Sequence, residues 1–164
     1  MVCKQSSSRW SCSRTKNNGL HISLEETLQW AESFQKMMST QYGPAVYAAY
    51  LKTEYSDENI EFWFACERYK NITSRWRRTL KAKKLFKTYI KPNSPREINI
   101  DSPTREALEK EIQQPTPQSF DEAQIIVLRH MERDSYPRFL ASLFYQTLVS
   151  KLKEENVTTK DESG

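Results

Sequence analysis

From Leu24 to Leu152 helix signals follow one another without an internal repeat: residues that can cap a helix, apolar side chains at three- and four-residue spacing behind them, and prolines between several of the runs. Seven prolines stand against three glycines, which suits helices that are stopped sharply and leaves little material for the tight turns of an all-β fold. Ser23 and Glu26 have capping-box spacing, with Leu24, Leu28 and Ala31 as the expected apolar face. Pro44 follows Gly43 in a first-turn position, ahead of Val46, Tyr47, Tyr50 and Leu51. Ser56 then reads as the cap of a helix to about Asn71, with Asp57 and Glu58 at its positive end and Ile60, Trp63 and Phe64 beginning an apolar stripe.

A further helix from about Ser74 to Ile90, with Ala82, Leu85, Phe86, Tyr89 and Ile90 on one side, should end at Lys91-Pro92. Residues 92–104 hold three prolines and read as an ordered loop leading to a helix start at Ser102-Pro103, which stops before Pro115. Ser119 and Glu122 form a second capping-box pattern ahead of Ala123, Ile126, Val127, His130 and Met131. Pro137 should interrupt that helix before "RFLASLFYQTLVSKL" completes the last one. Helices joined by short loops predict an all-α antiparallel bundle, with residues 1–22 a basic, flexible segment and residues 153–164 a disordered tail.

At 164 residues the chain suits one domain with a core of its own. The net charge of +4 has an address, because Lys4, Arg9, Arg14 and Lys16 are the sole charged residues in 1–22. The other 21 basic residues are balanced by 21 acidic ones. A neutral body argues against nucleic acid as the partner, since phosphate binding scales with clustered cations, while the basic end could touch an acidic membrane. No run approaches a membrane span and no signal-peptide core is present, so a cytoplasmic protein is expected. Cys3, Cys12 and Cys66 are odd in number and dispersed, as reduced thiols would be.

Enzyme chemistry finds little support. His21 and His130 are the two histidines, neither with metal-ligand spacing, and no phosphate-binding glycine loop occurs. Cys66 lies among apolar helix residues and reads as packing rather than as a nucleophile paired with His130. The basic run "RWRRTLKAKK", residues 75–84, reads as a solvated helix face with Trp76 partly packed, and secondarily as a surface for acidic lipid or nucleic acid.

Three stretches present polar groups beside buried ones. "EINID", residues 97–101, alternates so that Ile98 and Ile100 could hold the loop while Glu97 and Asn99 face outward, although Asn99 and Asp101 could equally bond local backbone. In "YSDENIEFW", residues 55–63, Asn59 is a mediocre helix former in a first turn that already has a cap, which makes it a candidate to face a partner. "MERDSYPRFL", residues 131–140, offers Asp134, Ser135 and Arg138 around the expected helix break, where Asp134 and Ser135 could also be caps.

Together "SDENIEFW", "PREINID", "KEIQQPT", "SFDEAQ" and "MERDSYPRFL" resemble, in order and over about residues 28–150, the regulator of G-protein signalling (RGS) domain. The chain is similar to the small single-domain members, near the lymphoid-type regulators. The resemblance implies about nine helices, a four-helix bundle plus a terminal subdomain built from both ends of a domain spanning residues 23–152. It implies a GTPase-activating protein for heterotrimeric Gα subunits of the Gi and Gq classes, acting as a monomer without a cofactor or catalytic site of its own. A Gα subunit already carries its transition-state arginine, so the activator's task is to hold mobile switches and the water-orienting glutamine.

By the same resemblance, Asn99 matches the asparagine that reaches the switch glutamine, where a carboxamide can both donate and accept. Glu58 and Asn59 match a switch-contacting pair, with Tyr55 and Ser56 adjoining, and Trp63 is expected to anchor the core. Asp134, Ser135 and Arg138 match a third contact segment, in which Asp134 lies near a threonine of the first switch and Arg138 buttresses the aspartate. His130 stands where the family commonly has leucine and could tune affinity with pH or simply pack. Cys3 and Cys12 are candidate acylation sites that, with the basic N-terminus, would recruit the protein to the inner face of the plasma membrane. The alternative is a non-activating RGS-fold scaffold that binds Gα or lipid.

Overall fold

In the computed structural model, which describes residues 21–161, helices follow one another as α1 (Leu24–Glu32), α2 (Phe34–Ser39), α3 (Gly43–Thr53), α4 (Glu58–Lys70), α5 (Arg75–Leu85), α6 (Ser102–Glu111), α7 (Asp121–His130), α8 (Tyr136–Ala141) and α9 (Leu143–Asp161). Two π-helical turns, Phe86–Ile90 and Met131–Ser135, extend α5 and join α7 to α8. The expected basic segment falls largely in residues 1–20, which lie outside the described residues, as do Cys3 and Cys12.

Two cores organise these elements. Phe62, Cys66 and Tyr69 of α4 pack with Leu85, Ile98, Leu108, Phe120 and Val127 in a bundle of α4, α5, α6 and α7. Trp30, Phe34, Tyr47, Leu51, Phe139 and Tyr145 form the second core, in which α1, α2 and α3 from one end of the chain meet α8 and α9 from the other. Ile60 at the start of α4 and Met131 just beyond α7 belong to this second core, so both helices bridge the two. The bundle and terminal subdomain expected from the resemblance are therefore present.

Several local expectations change once packing is considered. Ser23 accepts from the Glu26 amide at 3.1 Å, but the Glu26 carboxylate turns away to accept the Tyr42 amide at 2.7 Å, so half of the capping box is spent on a tertiary contact. On α1 the buried pair is Thr27 and Trp30, while Leu28 is 46% exposed and Ala31 faces solvent. Burial of Thr27 and Trp30 is tolerated because Thr27 Oγ1 donates to the Leu24 carbonyl at 2.7 Å and Trp30 Nε1 donates to Thr40 Oγ1 at 2.9 Å. Ser119 does not cap α7: its hydroxyl donates to Glu111 Oε1 at 2.6 Å and accepts the Thr116 amide at 2.9 Å, fastening the α6–α7 loop. Cys66 is wholly buried in the bundle core.

Pro137 does not break the last part of the chain as expected. The π turn at Met131–Ser135 lets Pro137 fall in the first turn of α8, where its missing N–H costs nothing, and helical backbone runs on from Asp121 to Ala141. Helix α9 likewise continues to Asp161, across residues for which the sequence predicts disorder. Lys and Glu are good helix formers, and the packed turns at Tyr145 and Val149 provide the nucleus from which such a segment propagates.

Candidate functional site

The site begins with the way α3 ends. The Tyr55 amide donates to the Lys52 carbonyl at 3.2 Å and the Ser56 amide to the Leu51 carbonyl at 3.1 Å, the paired bonds of a Schellman motif. Tyr55, with φ of 54°, occupies the left-handed position that glycine usually takes. It is 94% exposed. Ser56 is therefore the last residue of a C-terminal cap rather than the N-cap of α4, which starts after Asp57. Its hydroxyl oxygen is covered and has no hydrogen-bond partner among the described residues. Exposed Tyr55 and the acid-rich first turn of α4 are thus set by a chain reversal. Phe62, not Trp63, is the aromatic side chain of this stretch that is fully buried, whereas Trp63 is half-buried.

The second segment is the loop after the π turn at Phe86–Ile90. Carbonyls left free at that helix end accept from the loop: Thr88 from the Arg96 amide at 3.0 Å, Tyr89 from the Ile98 amide at 2.9 Å and Ile90 from Arg105 Nε at 3.0 Å. Ile98 and Ile100 are buried while Asn99 between them is exposed and makes no hydrogen bond to the described residues. Asp101, by contrast, caps α6 through the Thr104 amide at 3.0 Å. Glu97 accepts the Asn93 amide at 2.9 Å and pairs with Arg105 at 3.5 Å, so its carboxylate shapes the loop.

Arg96 ties this loop to α4, its Nη2 lying 2.7 Å from Asp57 Oδ1 and its Nε 2.9 Å from Glu61 Oε2. The hydrogen bond from Arg96 holds the Asp57 carboxyl below the ordinary carboxylate range. A depressed folded-state pKa contributes stability above the unfolded value and loses it as pH falls through the folded one. Arg96→Ala is accordingly expected to cost about 1 kcal/mol at pH 7, with the gap from wild type closing below about pH 4, as urea midpoints measured from pH 7 down to pH 3 would reveal.

The third segment is the π turn at Met131–Ser135. Asp134 is exposed, and Arg133 holds its carboxyl below the usual range through a bond from Nε to Oδ1 at 3.2 Å. Arg138 buttresses Asp134 through the backbone: Nη1 donates to the Asp134 carbonyl at 3.0 Å and Nη2 to Glu54 Oε2 at 3.2 Å, so it supports the turn and leaves the carboxylate's hydrogen bonds to Arg133. Ser135 is buried, its hydroxyl engaged with Tyr47. It provides no side-chain cap to α8.

These three segments meet at one end of the molecule around a shallow depression of about 210 Å³ lined by Ser56, Glu58, Asn59, Asn99, His130, Arg133, Asp134, Ser135 and Arg138. Tyr55 and Glu97 do not line it. Arg133 escapes a reading of the sequence, although a cation adjoining Asp134 in a helical turn is a signal that could mark it. The lining offers carboxamides, carboxylates and guanidinium groups but no nucleophile with a partnered base. Burial pushes the Cys66 thiol up, away from the reactive thiolate. Among the described residues no cluster of three or more His, Cys, Asp or Glu side chains is placed to hold a metal ion, and no helix is long and apolar enough to cross a membrane. What the arrangement can do is grip an irregular polar surface from three sides.

Residues 33–148 match the family model described as the regulator of G protein signaling domain. The chain is 58% identical to "Regulator of G-protein signaling 13" of Homo sapiens over 151 residues, covering 90% of this chain and 95% of that protein. It is 57% identical to the protein of the same name from Mus musculus over 83% of this chain and 86% of the other. "Regulator of G-protein signaling 8" of Danio rerio is 48% identical over 80% of this chain and 76% of its own length. With the bundle, the bipartite terminal subdomain and these matches in agreement, the chain belongs to the regulator of G protein signaling domain family.

Proposed function

We propose that this protein accelerates GTP hydrolysis by heterotrimeric Gα subunits, binding their switch regions in the transition-state arrangement and so ending G-protein signalling. The observation that carries the reading is Asn99: an exposed carboxamide with no partner among the described residues, held between two buried isoleucines and set beside Asn59 and Asp134 in one depression. A side chain fixed at its base and unspent at its tip has the form needed to order a mobile catalytic group in another protein. The reacting atoms and the catalytic residues belong to Gα, and this protein contributes positioning. Gi- and Gq-class subunits are the proposed partners on the family resemblance, with the protein acting as a monomer. Single-turnover GTP hydrolysis by purified Gi- and Gq-class α subunits, with and without this protein, is the test. Acceleration supports the reading, whereas binding without acceleration would leave the scaffold alternative.

A membrane role at the cytoplasmic face is a second proposal, favoured by α5. This helix carries six cations and no acid, none of the six in an ion pair with another of the described residues, and Trp76 and Leu80 stand 70% and 50% exposed at i, i+4 spacing. Trp76 is thus more open than the partly packed residue expected. Basic residues around an exposed tryptophan suit an acidic lipid surface. Because Arg78 turns Nη2 onto the Ile72 carbonyl at 2.8 Å, charge reversal belongs at Arg75 and Arg77. With Trp76→Ala it is expected to lower binding to phosphatidylserine vesicles at least about tenfold, at roughly 1 kcal/mol per cation near the surface, and unchanged binding would remove the role.

A further inference from the structure

Tyr47 lies wholly buried in the terminal core, its ring 5.9 Å from that of Phe34 and 5.5 Å from that of Phe139. A phenylalanine would fill the same space without a buried hydroxyl to satisfy. That hydroxyl reaches the Ser135 hydroxyl at the end of the π turn, and Ser135 Oγ lies 3.3 Å from the Met131 carbonyl at its start. Tyr47 Oη lies 3.5 Å from the same carbonyl, so whichever hydroxyl donates to the other, the second donates to Met131, and the turn is closed on itself from inside.

One helical turn along α3, Tyr50 Oη donates to Glu54 Oε1 at 2.6 Å. Glu54 in turn accepts from Arg138, which donates to the Asp134 carbonyl. Two tethers therefore meet at the Asp134–Ser135 peptide: one through Ser135 to Tyr47, the other through Arg138 and Glu54 to Tyr50. Desolvation drives the Tyr47 hydroxyl well above its ordinary range and raises that of Tyr50 to about 12, so both remain protonated donors at neutral pH.

We infer that Tyr47 is a positioning residue for the Gα contact, its hydroxyl setting the π turn that presents Asp134, with Tyr50 as the second tether. The inference rests on the proposed Gα-directed function, and it assigns to a buried α3 residue a part in binding that its burial conceals. Removing one such hydrogen bond is expected to weaken equilibrium binding to Gα carrying GDP and aluminium fluoride about fivefold, the equivalent of a typical buried bond.

The test is a double-mutant cycle of Tyr47→Phe with Asp134→Ala, read by that affinity, by single-turnover hydrolysis and by thermal midpoint. The expected result is an affinity loss for Tyr47→Phe in the wild-type background and less than about twofold in Asp134→Ala, with equal midpoint changes in both and unchanged acceleration at saturation. Faster amide hydrogen exchange confined to about residues 131–138 should accompany it. Undiminished affinity, or the same loss with Asp134 absent, would overturn the inference. Wild-type protein that neither binds nor accelerates Gα would instead overturn the functional reading beneath it. Should Tyr47→Phe not fold, Tyr50→Phe takes its place in the same cycle, supporting the two-tether arrangement if coupled to Asp134 and overturning it if additive.

Discussion

Asn99→Ala is expected to reduce the acceleration of single-turnover GTP hydrolysis by about a hundredfold, the scale of a lost, well-placed hydrogen-bonding group in an active site. The thermal midpoint should hardly move, because the Asn99 side chain is exposed and makes no hydrogen bond to the described residues, while Ile98 and Ile100 continue to hold the loop. This separation between activity and stability is what makes the variant informative. A general loosening of the loop would lower both together. Asn99→Asp sharpens the test, since it keeps the acceptor and removes the donor. Activity near wild type for Asn99→Ala in a folded protein that binds Gα would shift the burden of positioning to Asn59 and Asp134.

The opposite profile is expected at Phe139. Its ring is fully buried and lies within 5.5 Å of the rings of Tyr47, Tyr50 and Tyr145, so it joins α3, α8 and α9 at one point. Phe139→Ala should cost about 3–5 kcal/mol by losing buried area and leaving a cavity, and lower the thermal midpoint by roughly 10–20 °C. Chemical denaturation and a thermal scan would measure it, with Leu143→Ala as the control because Leu143 is 84% exposed. Binding to Gα should fall as well, since Tyr47 and Arg138 both depend on this core for their placement. A change within about 1 kcal/mol would mean that α9 and α3 collapse onto the space, as the spread among cavity-forming substitutions allows.

The contrast between those two residues marks where a one-dimensional reading succeeds. Helix positions, the proline stops and the alternation in "EINID" depend on neighbours a few residues away, and the three polar stretches could be recognised because each carries its own pattern of outward and inward groups. Eight of the ten residues that the family resemblance assigned to the Gα contact line one depression.

What failed were choices among local alternatives that another segment settles. Leu28 and Ala31 have the spacing of a buried face, but α2 and α9 pack on Thr27 and Trp30, whose polar atoms find partners in the fold. Ser56 has the chemistry of an N-cap, yet the reversal between α3 and α4 uses it as the end of a Schellman motif. Pro137 ordinarily ends a helix, and here a π turn absorbs it.

The sequence by itself thus determined that the chain is helical, where most helices begin and stop, and which three stretches set polar groups beside buried ones. Tertiary structure alone decided which face of α1 is buried, that Ser135 points inward to Tyr47, and that Arg138 holds the Asp134 backbone rather than its carboxylate. The reason is the range of the forces. Backbone propensity and capping act within a turn or two, whereas a buried polar atom takes whichever partner the packed chain brings within hydrogen-bond distance, and between Tyr47 and Ser135 that partner lies 88 residues away.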